Sequence, residues 1–191
     1  GGSKATYHNL REIYYNAEDF PSFLLGELFR NEPDFIDKAC GEDVRELLAE
    51  TGFPGMKILQ FAFYDDDSEY LPRCYTTKNC VVYSGSHDAD CTRTWHLNLT
   101  GPAKDRFIRE CKRDTRQSRT YDVIELALSS EANLAVIPIQ DYLDLTNEQG
   151  RMNTPAVADG NWNYRLSSRY NTPALVKKVK DLTARTGRAS R

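Results

Sequence analysis

An α/β fold, with a parallel sheet covered by helices, is what this sequence predicts. Three observations predict it. Short segments that are apolar along their whole length recur at Ile58–Phe63, Cys80–Tyr83 and Leu134–Ile139, and strands buried on both faces of a parallel sheet read this way. Segments with helical periodicity stand between and around them, so strand and helix alternate. Polar residues follow each apolar segment at once, which is where parallel α/β folds place functional groups.

The elements follow in order. "NLREIYYNAEDF" favours a short helix, and "PSFLLGELF" reads as a buried strand or a helix start. "EDVRELLAETG" sets Val44, Leu47 and Leu48 on one helical face, and Gly52 stops it. "GFPGMKILQFAF" passes from turn residues into a buried strand at Ile58–Phe63. "YDDDSEYLPRCYTTKN" is a polar loop, and "CVVYSG" is the next strand. "GPAKDRFIREC" and "TYDVIELALSSE" have helical spacing, the latter through Ile124, Leu126, Ala127 and Leu128. "ANLAVIPIQDYL" is a third buried strand, closed by a proline. "NTPALVKKVKDLTART" is a helix with Pro173 in its first turn and Asn171 or Thr172 as cap.

Composition narrows the function. The chain has 191 residues and a formal net charge of −3, which fits one domain and excludes the basic face of a nucleic-acid binder. The basic stretch "VKKVKDLTARTGRASR" reads as the solvated face of a last helix. Five cysteines without a CxxC argue against a disulfide framework or a zinc site and for free thiols. No apolar run approaches the ~20 residues that span a bilayer. No basic-then-apolar leader stands at the start. The expectation is a cytoplasmic protein with no cofactor, no metal, no membrane and no nucleic-acid partner.

The polar groups after the strands are Tyr64 with Asp65, Asp66 and Asp67; Ser86, His87, Asp88 and Asp90; and Gln140 with Asp141. Carboxylates on several strand ends suit glycosyl transfer or metal binding, while no glycine-rich phosphate loop is present. Loop-tip solvation and helix capping explain the same residues equally well.

"GFPGMKILQFAF", "YLPRCY", "VVYSGSHDADCT", "EANLAVIPIQDYLDL" and "GRMNTPAVADGNWNYR" together resemble consecutive signature segments of the 4-α-glucanotransferases. These are the amylomaltase or disproportionating-enzyme family, glycoside hydrolase family 77. The resemblance runs from about Val44 to the C-terminus and implies two parts: residues 1–43, an unmatched N-terminal segment, and residues 44–191, the C-terminal part of a (β/α)8 barrel. It implies that "MKILQFAF", "NCVVYSG" and "ANLAVIPI" are like barrel strands six, seven and eight. A whole barrel of this kind takes ~250 residues, so this chain is expected to supply a partial one.

The resemblance also implies site residues. Such enzymes retain anomeric configuration with three carboxylates: a nucleophile, an acid/base and a transition-state stabiliser. Asp88 matches the stabiliser, and His87 matches a neighbour that hydrogen-bonds the sugar. Phe61 is similar to an aromatic lining the sugar cleft, and Asn153, Asn161 and Trp162 stand in the segment near its rim. Glu27 follows an apolar run, as an acid/base strand would require, and is the candidate for that role. The nucleophile's segment has no match. Smaller departures are Ser86, Ala89 and Cys91 where the family usually shows Thr, Asn and Thr, Arg73 and Cys74 for His and Asn, and Ala156-Val157 for Gly-Thr. The implied partner is an α-1,4-glucan or maltooligosaccharide, with a complementary fragment or second copy closing the sheet. The isolated chain is expected to show little or no turnover, and the alternative is an inactive glucan-binding or scaffold fragment.

Overall fold

The computed structural model describes residues 49–111 and 117–189. The chain divides into two compact units, Gly1–Phe53 and Pro54–Arg191. Most of the first, including Glu27 and the segments read upstream of residue 49, lies outside the described residues. Residues 49–51 are helical and are followed by Gly52 with φ 67°, a left-handed conformation that suits a glycine stop.

Three strands, β1 (Gly55–Ile58), β2 (Cys80–Tyr83) and β3 (Leu134–Val136), form one parallel sheet in the order β1-β2-β3. Met56, Val81 and Leu134 stand in register, as do Ile58, Tyr83 and Val136. Between β2 and β3 run helices α1 (Thr92–Asn98), α2 (Gly101–Glu110) and α3 (Arg119–Leu128). After β3 come the short α4 (Ile139–Tyr142) and α5 (Asn147–Gly150), then α6 (Pro173–Arg185).

Two expected strands end early. The segment expected to be extended to Phe63 instead leaves the sheet after Ile58 and turns through a 3-10 helix at Leu59–Phe61. The turn buries Leu59, Gln60, Ala62 and Phe63 together while leaving Phe61 exposed, a pattern that period-two alternation cannot give. The third strand stops at Val136 rather than Ile139. Pro138 has no N–H to offer a ladder and instead stands as N-cap of α4.

A further correction concerns burial. Val82 on one face is fully buried, but Met56 (56%), Leu134 (58%) and Val136 (47%) on the other are open to solvent. Side chains two apart share a face, so among the described residues this apolar side is open at its flanks, while Val81 in its middle is buried. The covered side packs on α1–α3 through Val82, Phe63, Trp95, Phe107 and Val123. Phe63 lies 5.5 Å from Trp95 and 5.4 Å, edge to face, from Phe107. A second cluster joins Tyr121, Ile124 and Leu128 of α3 to Leu182 of α6. α6 begins as the sequence predicts, with Pro173 in its first turn and the Thr172 hydroxyl accepting from the Leu175 N–H. The four cysteines among the described residues, Cys74, Cys80, Cys91 and Cys111, are free.

The acids after β1 serve the surface. Asp66 accepts from Arg106 (3.0 Å) and Arg109 (2.5 Å) of α2, and these guanidiniums draw its carboxyl down to about 2. A depressed folded pKa contributes stability that is present above the ordinary value of 3.8 and lost as pH falls through about 2. In urea titrations, wild type should therefore exceed Asp66→Asn above pH 4, and the difference should vanish towards pH 2. A difference that is constant across that range would contradict the pairing.

Candidate functional site

Every functional side chain here depends on how the ends of the three strands are tied together. β2 delivers Ser84, and the span Gly85–Cys91 then crosses to the start of α1. From the β1 side, the buried Gln60 donates its amide N–H to the Asp90 carbonyl at 2.8 Å and to the Thr92 hydroxyl at 3.4 Å. A Cβ on Gly85 would stand 2.5 Å from that amide nitrogen, so a side chain there would displace the Gln60 amide. From the β3 side, Asp141 reaches Ser84 and Thr92.

The loop's two acids are treated differently. Asp90 accepts from Asn147 Nδ2 at 2.7 Å and from the Arg151 guanidinium. Its charge is neutralised, and Asn147 Oδ1 also accepts from the Cys91 N–H at 2.8 Å. Asp88 stays half exposed. Its Oδ1 accepts from Asn153 Nδ2 at 2.6 Å, and its Oδ2 lies 3.2 Å from His87 Nε2. Arg151 meets only its backbone carbonyl, at 3.5 Å, and among the described residues no lysine or arginine pairs with the carboxylate. Asn153 also donates its N–H to the His87 carbonyl at 3.2 Å. The Trp162 indole stands 5.2 Å from the His87 ring. His87, Asp88, Asn153 and Trp162 thus form one half-exposed cluster of an anion, an imidazole, an amide and an aromatic face.

The other predicted site residues divide. Asn161 serves the backbone: its Oδ1 accepts from the Thr154 N–H at 2.8 Å, and its Nδ2 donates to the carbonyls of Thr154 and Val157. It holds the segment that presents Trp162, whose backbone is left-handed at φ 62°. Phe61 stands at the C-terminal end of β1, half exposed, edge to face with Tyr70 at 5.8 Å. The residues that sequence reasoning passed over are Gln60, Asn147 and Arg151. Gln60 sits inside an apolar run and Arg151 at a turn, and only their burial or partners distinguish them.

Asp141 is fully enclosed, and burial pushes its carboxyl above the usual range against the pull of Ser84 and Thr92. A cavity of about 210 Å³ runs along the inner side of the loop, lined by His87, Asp90, Gln140, Asp141 and Arg151 among others. Asp88 is not among its lining residues and is half exposed. Among the described residues no cluster of histidine, cysteine and acidic side chains could hold a metal ion, and no helix is long and apolar enough to cross a membrane.

Thr154–Val157 is a turn closed by the Val157 N–H on the Thr154 carbonyl at 3.2 Å. Pro155 takes its second position and Ala156 its third, with φ 63°. That third position calls for glycine. Left-handed strain costs a non-glycine residue about 1–2 kcal/mol, more than the added chain entropy of glycine, about 0.5–1 kcal/mol. Ala156→Gly is expected to raise stability by up to about 1 kcal/mol, read as a higher urea midpoint. A lower midpoint would contradict the strain.

The sequence model of glycoside hydrolase family 77, described as 4-alpha-glucanotransferase, matches residues 10–171. The match therefore begins upstream of residue 44. The chain is 40% identical over 150 residues to a 4-alpha-glucanotransferase of Clostridium butyricum, covering 77% of this chain and 30% of that protein. It is 38% identical over 151 residues to the chloroplastic/amyloplastic 4-alpha-glucanotransferase of Solanum tuberosum, covering 77% of this chain and 26% of that one. Among solved structures, an amylomaltase from Streptococcus agalactiae in complex with acarbose superposes with a TM-score of 0.73 at 32% identity, over 78% of this chain and 30% of that chain. The chain thus spans less than a third of the length of these relatives.

Proposed function

The chain belongs to the 4-alpha-glucanotransferase family, and from that premise we propose that it supplies one wall of an α-1,4-glucan site. Asp88 acts there as the transition-state carboxylate and His87 as a sugar hydroxyl partner. The observation that carries the reading is the contrast between two acids on one loop. Asp90 is neutralised by Arg151, while Asp88 is held half exposed by Asn153 and His87, with no lysine or arginine among the described residues on its carboxylate. A structural acid has no need of such presentation. A glucosyl transition state gathers positive charge, and a fixed anion in a water-poor site favours it. The Trp162 face beside His87 suits the apolar face of a glucose ring.

One carboxylate does not complete the chemistry. Retention needs a nucleophile and an acid/base ~5–5.5 Å apart. Asp90, Asp141 and Asp66 are each committed to other partners. The nucleophile comes from a complementary part of the barrel. Glu27 remains the candidate acid/base within this chain. The open sheet face of Met56, Leu134 and Val136 supports the same view, as do the edges of β1 and β3. An apolar face, and two edges left unpaired among the described residues, call for cover. In this reading β1, β2 and β3 are strands six, seven and eight of a partial (β/α)8 barrel. The cover is the rest of such a barrel rather than a second copy.

Titration of the 191-residue chain with acarbose and maltoheptaose tests this, alongside a maltotriose disproportionation assay. The expected result is sugar binding without glucose release. Disproportionation by the chain alone that survives Asp88→Asn would overturn the reading.

A further inference from the structure

We infer that Asp141 is the positioning residue of the site: one enclosed carboxylate that closes both ends of the span carrying His87 and Asp88. The inference rests on the reading of that span as a glucan wall but concerns a residue outside it. Asp141 is 2% exposed. Its Oδ2 accepts from the Ser84 hydroxyl at 2.5 Å and the Thr92 hydroxyl at 2.8 Å, and its Oδ1 accepts from the Thr92 N–H at 3.0 Å. Ser84 is the last residue before Gly85, and Thr92 is the first after Cys91. The loop therefore begins and ends on the same side chain.

Three donors converge on this one carboxylate. Two hydroxyls and an amide N–H all give to it, and the Thr92 hydroxyl also takes a bond from the Gln60 amide at 3.4 Å. Its two oxygens accept all three bonds, so one side chain ties both ends of the span. Asparagine keeps the shape but puts an NH2 where both hydroxyls now donate, so both must reverse to accept, the Thr92 hydroxyl while already accepting from Gln60. Placement adds to the argument. Asp141 lies on α4, shortly after β3, while Ser84 directly follows β2 and Thr92 opens α1. The clamp therefore spans two strands, and Gln60 reaches Thr92 from the third. A loop pinned at both ends holds Asp88 with less freedom than packing alone gives, and precision of placement is what a charge in a transition state requires.

The test uses the 191-residue chain and two readouts. The first is the NMR signal of the His87 ring, assigned by loss in His87→Gln and displaced by the Trp162 ring current. The second is acarbose affinity. Asp141→Asn is expected to abolish the displacement of the His87 signal while the ring signals of Tyr121 and Tyr142 stay in place, and to weaken acarbose binding roughly tenfold, the loss that one misplaced charged hydrogen bond carries. Should Asp141→Asn fail to fold, Ser84→Ala and Thr92→Val each remove one arm and carry the same readout. Their effects on the His87 signal should be less than additive, because they share one carboxylate. An unmoved His87 signal in folded Asp141→Asn, or in both single-arm variants, overturns the inference. A moved signal in a chain that binds no acarbose keeps the clamp and removes the glucan reading.

Discussion

Asp88→Asn is expected to lower kcat for glucan transfer by about 10²–10³-fold with KM little changed, the scale of removing one preorganised electrostatic contact to a transition state. The measurement belongs in a chimera in which Pro54–Arg191 replaces the corresponding part of the Streptococcus agalactiae amylomaltase. The substitution keeps the shape and the Asn153 contact but removes the charge. A group that acts only on the transition state lowers kcat and kcat/KM together. A pure sugar contact would raise KM instead. His87→Gln should show that second pattern, which separates the two neighbours by role. An unchanged kcat in Asp88→Asn would remove Asp88 from the chemistry.

Phe63→Ala carries the largest expected effect on stability. Phe63 is fully enclosed, packed against the Trp95 and Phe107 rings at 5.5 and 5.4 Å. Trp95 and Phe107 themselves meet edge to face at 5.6 Å. Three rings in mutual contact leave no group free to fill the hollow, so the loss should reach about 3–5 kcal/mol. That is a large part of the roughly 5–15 kcal/mol that holds a domain together. Urea unfolding followed by the indole fluorescence of Trp95 reads it. A loss under 1 kcal/mol would mean that the site collapses around the gap and the trio is not the keystone of the covered face.

The parallel sheet, α2, α3 and α6 were legible because their signals are local: continuous β-rich apolar runs, helical spacing, and Thr172 with Pro173 at a helix start. The His87-Asp88 pair was legible through its position after Tyr83. α1 leaves a weaker mark, since Cys91, Trp95 and Leu99 recur at helical spacing over only seven helical residues with no side-chain cap. The 3-10 turn at Leu59–Phe61 was hidden for a different reason. Its cause is Gln60 bonding to Asp90 and Thr92, and a contact across thirty residues leaves no mark on local composition. The same holds for Asp141: directly after a strand it looks like a cleft acid, and only its three donors show that it faces inward. The uncovered face of Met56, Leu134 and Val136 was unreadable too, since an apolar residue looks alike whether its cover is in this chain or beyond it.

The central claim is that β2 delivers Asp88 into a glucan site that further barrel elements complete. Maltotriose disproportionation by the Pro54–Arg191 chimera tests it most directly. The account predicts glucose release by the chimera, with binding but no release by the 191-residue chain. A folded chimera that binds acarbose yet releases no glucose, or one whose release survives Asp88→Asn undiminished, would contradict it.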